Sequence, residues 1–160
     1  MRDARGLPAW VQMLRTFGTM QSIVESSLSQ YDLTLAQFNL LVVLSFHQDK
    51  NQNELSAHLG VTKGNVVGLL DRLSRRGLVE RVPMEGDLRV NHPRLTGAGR
   101  ALINETLPEQ VRVVVEMMNP LTDTELGTLE QSLKKLEEAN AGTKNARQAS
   151  IPPIAIRKAI

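Results

Sequence analysis

The chain has 160 residues, a mass of 17.7 kDa and no cysteine. That length suggests one domain with a core of its own, and the missing cysteine excludes disulfides, thiolate metal sites and cysteine redox switches. The net charge is only +2, but it is unevenly spread: residues 62–94 hold seven basic and four acidic side chains, whereas 105–139 hold three basic and eight acidic. A basic middle beside an acidic helical region points to a localised surface that faces a polyanion. No apolar run reaches the ~20 residues of a membrane span, and MRDARGLPAW has no signal-peptide core, so no membrane partner and a cytoplasmic location are expected. All five aromatic residues precede position 50, so the basic region has no base-stacking platform, which argues against single-strand binding.

Helical periodicity dominates along the chain. Trp10, Leu14, Phe17, Val24, Leu28 and Tyr31 mark a long amphipathic helix over 8–31. Thr34 and Gln37 form a capping box, with Leu33 and Phe38 as its hydrophobic staple. The helix behind it, to about Phe46, is nearly all apolar and is expected at the centre of the core. The polar stretch HQDKNQN reads as a loop. A short helix follows over about 53–59, ended by Gly60, and Thr62 caps another that runs to Arg76 and stops at Gly77. Two short helices across a tight glycine turn make a helix-turn-helix, with Leu55, Leu59, Val61, Val66, Leu70 and Leu73 between them.

After Gly77 the pattern alternates. Residues 78–82, the turn chemistry at Glu85, Gly86 and Asp87, and the return through 93–96 predict a two-stranded ribbon with a charged tip. Thr96 caps a helix over about 97–118, in which Pro108 predicts a kink or a break. Thr122 and Glu125 form a second capping box before a last helix over 123–139, and 140–160 reads as a tail. The fold class is therefore mainly α: a helix-turn-helix and a two-stranded ribbon, flanked by long N- and C-terminal helices. Apolar positions such as Val111, Val115, Leu129, Leu133 and Leu136 exceed what so small a domain covers, which predicts a homodimer. The four isoleucines of the tail suggest a strap packed on the partner or over a cleft.

The stretch 52–96 carries ELSAHLGVTKGNV, LLDRLSRRGLVER, the wing pair Asp87 and Arg89, and Leu95-Thr96 followed by Gly99-Arg100. It resembles the MarR (multiple antibiotic resistance regulator) family of winged-helix transcription factors, and the likeness extends more loosely over 8–139. The resemblance implies a winged helix-turn-helix with a two-stranded wing, flanked by N- and C-terminal dimerisation helices: residues 1–139 as one domain, with the DNA-binding core at about 34–96 and the dimerisation helices at about 8–31 and 97–139. The chain departs from the family's pattern at Val67 and Gly68, where a polar residue and an arginine are common. It departs again at Leu88, where an arginine often separates the wing Asp and Arg.

A helix entering the major groove meets base edges with its N-terminal side chains, here Thr62, Lys63 and Asn65, while Gly64 lets the backbone approach closely. Arg72, Arg75, Arg76 and Arg81 are candidates for phosphate contact. Arg89 at the wing tip suits a narrow minor groove, and the resemblance implies that Asp87 orients it. The resemblance also implies a small aromatic or anionic effector, for which Arg15, Phe17 and Tyr31 are candidates.

The function expected is a sequence-specific double-stranded DNA-binding regulator: a homodimeric repressor of a pseudo-palindromic operator, modulated by a small ligand. The alternative is a winged-helix protein–protein interaction module that has lost DNA binding. The three histidines are scattered, with no two at helical ligand spacing, so no metal and no cofactor are expected. Nothing motivates an enzyme. The bland readings are that Trp10, Phe17, Tyr31 and Phe38 belong to the core, and that Thr62 is a cap alone.

Overall fold

The computed structural model describes residues 4–47, 50–84 and 87–141, with the backbone alone at 84 and 87–91. Among these residues are six helices and one ribbon: α1 (Leu7–Ser29), α2 (Leu35–Phe46), α3 (Gln52–Leu59), α4 (Lys63–Arg75), β1 (Val79–Met84), β2 (Asp87–Leu95), α5 (Gly97–Met118) and α6 (Asp123–Asn140). The expected strap over 140–160 lies outside the described residues from 142 onward.

Local chemistry places most of the helix starts. The Thr34 backbone N–H donates to Gln37 Oε1 at 3.0 Å while the Gln37 N–H donates to Thr34 Oγ1 at 3.2 Å, so two orphan donors at the start of α2 are satisfied reciprocally. Thr122 and Glu125 do the same for α6. A third box, Asn51 with Glu54, starts α3 within a stretch that reads as plain polar loop in the sequence. Glycines in the left-handed region follow α3 and α4, Gly60 at φ 61° and Gly77 at φ 68°. Behind Gly77 the Leu78 N–H returns to the Leu73 carbonyl at 3.0 Å and the Gly77 N–H to that of Ser74 at 2.9 Å, which satisfies the last carbonyls of α4.

The apolar helix α2 is the hub. Phe38, Leu40, Leu41, Val42, Val43 and Leu44 are all buried, and α2 packs against α1, α3, α4, α5 and β2. Leu55 and Leu59 from α3 and Val66, Leu69, Leu70 and Leu73 from α4 complete the core with Leu28, Leu33, Leu78, Val79, Leu95 and Ile103. At about 25 cal/mol per Å² of apolar surface removed from water, each such leucine contributes about 2 kcal/mol. The ribbon is antiparallel, with Val79 opposite Leu95, Arg81 opposite Pro93 and Val82 opposite His92, and it is irregular between Pro83 and Met84.

Of the kink or break expected at Pro108, the break is excluded, because α5 runs from Gly97 to Met118 through the proline. Ile103 and Thr106 before the proline and Gln110 after it are all buried, so both halves are held in place. The carbonyl of Asn104, which lacks the proline's N–H as a partner, belongs to an exposed residue where water can serve it. Trp10 and Phe17 are not core residues of the chain: they are 53% and 51% exposed. Leu28 is the only buried residue of α1, whose N-terminal turns extend beyond the core, and α6 buries none.

Candidate nucleic-acid interface

The face of α4 opposite the core is set by helical period. Val66, Leu70 and Leu73 turn inward, so Gly64, Gly68, Asp71 and Arg75 run along the middle of the outward face, with Lys63, Asn65 and Arg72 beside them. Thr62 stands at the N-cap, where its Oγ1 accepts the Asn65 backbone N–H at 3.3 Å. This bond satisfies one of the orphan donors of the first turn, and the Thr62 carbonyl accepts the Val66 N–H at 3.1 Å. Lys63, Gly64 and Asn65 are exposed, and Gly68, one four-residue step beyond Gly64, is half-buried beside the Arg72 guanidinium. A β-carbon on Gly64 would meet only Thr62 Oγ1, at 4.0 Å, so packing within the chain does not require glycine there.

The arginines divide into distinct environments. Arg72 and Arg75 are exposed on α4, and the Arg75 Nε–H donates to the Asp71 carbonyl at 3.3 Å. Arg81, on β1, donates to the Asp71 carboxylate at 2.5 Å. Asp71 would otherwise put an uncompensated negative charge in the centre of the α4 face. Arg81 offsets that charge and ties the ribbon to the helix. Arg76 points away from this face, onto the Tyr31 and Asp32 carbonyls at 3.1 and 2.5 Å. Asp87 and Arg89 open β2 next to the ribbon tip, and their side chains lie outside the described residues.

The effector candidates do not converge within one chain. Arg15 lies beside a shallow depression lined by Leu7, Pro8 and Val11. Tyr31 is half-buried against the core beyond the far end of α1, roughly 20 Å away at 1.5 Å per residue. Phe17 is exposed between them. A separate open groove runs between α1 and α5, lined by Ser22, Ser26, Gln30 and Arg112 among others. Arg112 is hydrogen-bonded to Glu109 and to Glu116, and that bond to Arg112 holds the Glu109 carboxyl below the usual carboxylate range.

Sequence spacing also hid a pairing of rings. His47 ends α2 and His58 lies in α3, yet their ring centroids are 5.3 Å apart in an edge-on contact. Asp71 was missed as well, because its role depends on an arginine ten residues away on a strand. The pattern Asp71-Arg72-Leu73 followed by Val79-Glu80-Arg81 is the only signal that could have found it.

A helix-turn-helix backed by an antiparallel ribbon, with a cationic helix face turned to solvent, defines a winged helix-turn-helix DNA-binding protein. Comparison with known proteins agrees: residues 31–89 match the profile of the MarR family. An HTH-type transcriptional regulator of Bacillus cereus is 31% identical over 112 residues, covering 69% of this chain and 74% of that protein. The transcriptional repressor MprA of Escherichia coli is 33% identical over 101 residues, 62% of this chain and 57% of its own length. Among solved structures, a cysteine-to-serine mutant of MarR from E. coli complexed with operator DNA superposes with a TM-score of 0.72 at 30% identity, covering 84% of this chain and 98% of that one. The chain belongs to the MarR family of transcriptional regulators.

Proposed function

We propose that the chain is a homodimeric repressor acting in the cytoplasm, which reads a pseudo-palindromic duplex through Thr62, Lys63 and Asn65 in the major groove and Arg89 in the minor groove. The observation that supports this most is the exposed face of α4. It combines a capped N-terminus, the exposed Gly64 and flanking Lys63, Asn65, Arg72 and Arg75 on a fold shared with a protein solved on its operator. Asn presents the donor and acceptor pair that adenine complements, and Lys reaches guanine acceptors or phosphate. Arg72 and Arg75 supply backbone attraction, whereas Arg76 and Arg81 are engaged within the chain and contribute through position. Asp87 orients Arg89. The missing arginine at Gly68 shifts the balance toward shape readout.

Dimerisation is supported by the apolar side chains left open on α1 and α6: Trp10, Leu14, Phe17, Leu129, Leu133 and Leu136. A two-fold dimer sets its recognition helices about 34 Å apart, one turn of duplex. A small aromatic or anionic effector, with Phe17 or Tyr31 against its ring and Arg15 against its charge, rests on the family alone. No observation favours the protein–protein module.

Selection of duplexes from a random pool by the purified protein tests the reading, followed by titration of the selected duplex at several salt concentrations. Asn65→Ala is expected to cost about 1–3 kcal/mol and to relax preference at one base pair per half-site. Equal loss on selected and random duplexes sinks the base-reading assignment.

A further inference from the structure

The sequence pattern places Arg76 among the DNA-facing cations, but its guanidinium closes a different helix. At the end of α1 the Leu33 N–H returns to the Leu28 carbonyl at 3.2 Å and the Asp32 N–H to that of Ser29 at 3.1 Å. This is the same closing motif that Gly77 makes behind α4, and it needs one residue in the left-handed region. Here that residue is Asp32, at φ 52°, the one non-glycine residue with positive φ among the described residues. A side chain disfavours that backbone. The Arg76 Nη1 donates to the Asp32 carbonyl at 2.5 Å and the Nη2 to the Tyr31 carbonyl at 3.1 Å, across 44 and 45 residues of chain. Arg76 is itself the C-cap of α4. One cation therefore lies between two helix C-termini, both of which carry partial negative charge.

We propose that Arg76 is a positioning residue: it ties the end of the recognition helix α4 to the end of α1 and so sets the angle between the reading head and the arm that α1 forms with α5. Rigid placement of α4 against that arm determines whether two recognition helices reach successive grooves together. The inference rests on the DNA-binding reading above. It differs from a phosphate contact in a measurable way, because a tie affects discrimination between duplexes, whereas a phosphate contact affects attraction to all of them.

Arg76→Lys separates the two. The substitution keeps the charge, but an ammonium lacks the planar fork that spans two carbonyls. Two measurements are needed on Arg76→Lys and Arg76→Ala. The first is affinity across a salt series for the duplex that the wild-type chain selects from a random pool, and for a random duplex. The second is hydrogen exchange of the Asp32 and Leu33 amides in the DNA-free protein. In both variants the selected duplex is expected to lose about tenfold in affinity, as for a charge-assisted hydrogen bond. Random-duplex affinity and the salt slope of Arg76→Lys stay at wild-type values, and both amides exchange faster. Wild-type binding by Arg76→Lys, with Arg76→Ala losing about one unit of salt slope, makes Arg76 a phosphate contact and overturns the proposal. Unchanged exchange overturns the tie, and faster exchange with unchanged discrimination overturns its positioning role. A wild-type chain that selects no duplex refutes the DNA reading, while the exchange data still report on the tie.

Discussion

A β-carbon placed on Gly99 would lie 2.1 Å from the carbonyl oxygen of Leu78 and 3.1 Å from its carbonyl carbon. The obstacle is backbone, at the residue where the chain leaves α4 for β1, and it cannot rotate aside as a side chain would. The first turn of α5 therefore sits directly on the start of the wing. Gly99→Ala is expected to destabilise the fold by about 3 kcal/mol, the upper end for overpacking, in urea unfolding monitored by circular dichroism.

Thr96 secures the same junction by hydrogen bonds. Its Oγ1 donates to the Gly77 carbonyl at 2.6 Å and accepts the Gly99 N–H at 3.1 Å. Thr96→Val keeps the shape and loses both, for an expected cost of about 2 kcal/mol, while Thr96→Ser keeps both and stays within about 0.5 kcal/mol of wild type. Thermal melting of the two variants side by side checks this.

The two glycines on the α4 face separate stability from binding. At Gly64 a methyl group meets nothing closer than 4.0 Å, and at Gly68 nothing closer than Arg72 Nη2 at 3.8 Å. Alanine at either position should stabilise the helix by up to about 1 kcal/mol. Gly64→Ala is nevertheless expected to weaken binding to the selected duplex, because its methyl stands where the groove floor approaches. Gly68→Arg should strengthen binding and steepen the salt dependence by about one unit. Melting curves and duplex titrations on the same preparations decide both.

Leu133 and Leu136 are 43% and 54% exposed on a helix with no buried residue. If the proposed dimer forms, the wild type is expected to give twice the 17.7 kDa chain mass by light scattering at micromolar concentration, and the double variant Leu133→Asp/Leu136→Asp the chain mass alone.

The acid response of α6 starts at its cap. The Thr122 N–H and O–H both donate to Glu125 Oε2 at 2.8 Å, and these two bonds hold the Glu125 carboxyl below the usual carboxylate range. A depressed folded-state pKa means stability that is present above the unfolded value and is lost as pH falls through the folded one. Amide exchange in the first turn of α6 is expected to accelerate as pH falls below that range, after correction for intrinsic rates. Glu125→Gln should remove that added pH dependence.

What the sequence revealed follows the range of the interactions. Both capping boxes at Thr34 and Thr122, the Gly60 and Gly77 stops, and the Thr62 and Thr96 caps depend on neighbours within five residues, and all are present. The Asn51 box carries the same signature but sits in the polar run read as a loop, so the helix expected from about 53 starts at Gln52. Partners of the arginines were invisible, because Arg76 reaches back 44 residues and Arg81 crosses from strand to helix. The burial of Trp10 and Phe17 was misjudged for a different reason. Periodicity says that a face is apolar, and it does not say whether this chain or another covers it.

An 18-residue helix that buries nothing has little within its own chain to offset the loss of backbone freedom, about 1–2 kcal/mol per residue. Its capping box and its Glu130–Lys134 pair offset only a small part of that cost. The order of α6 is therefore a property of the solution as much as of the fold. Melting temperature should rise with protein concentration, and a protease should clip α6 in dilute samples that it spares in concentrated ones. At low copy number, synthesis rate would then control how much of the regulator is in its operator-competent form, apart from any effector.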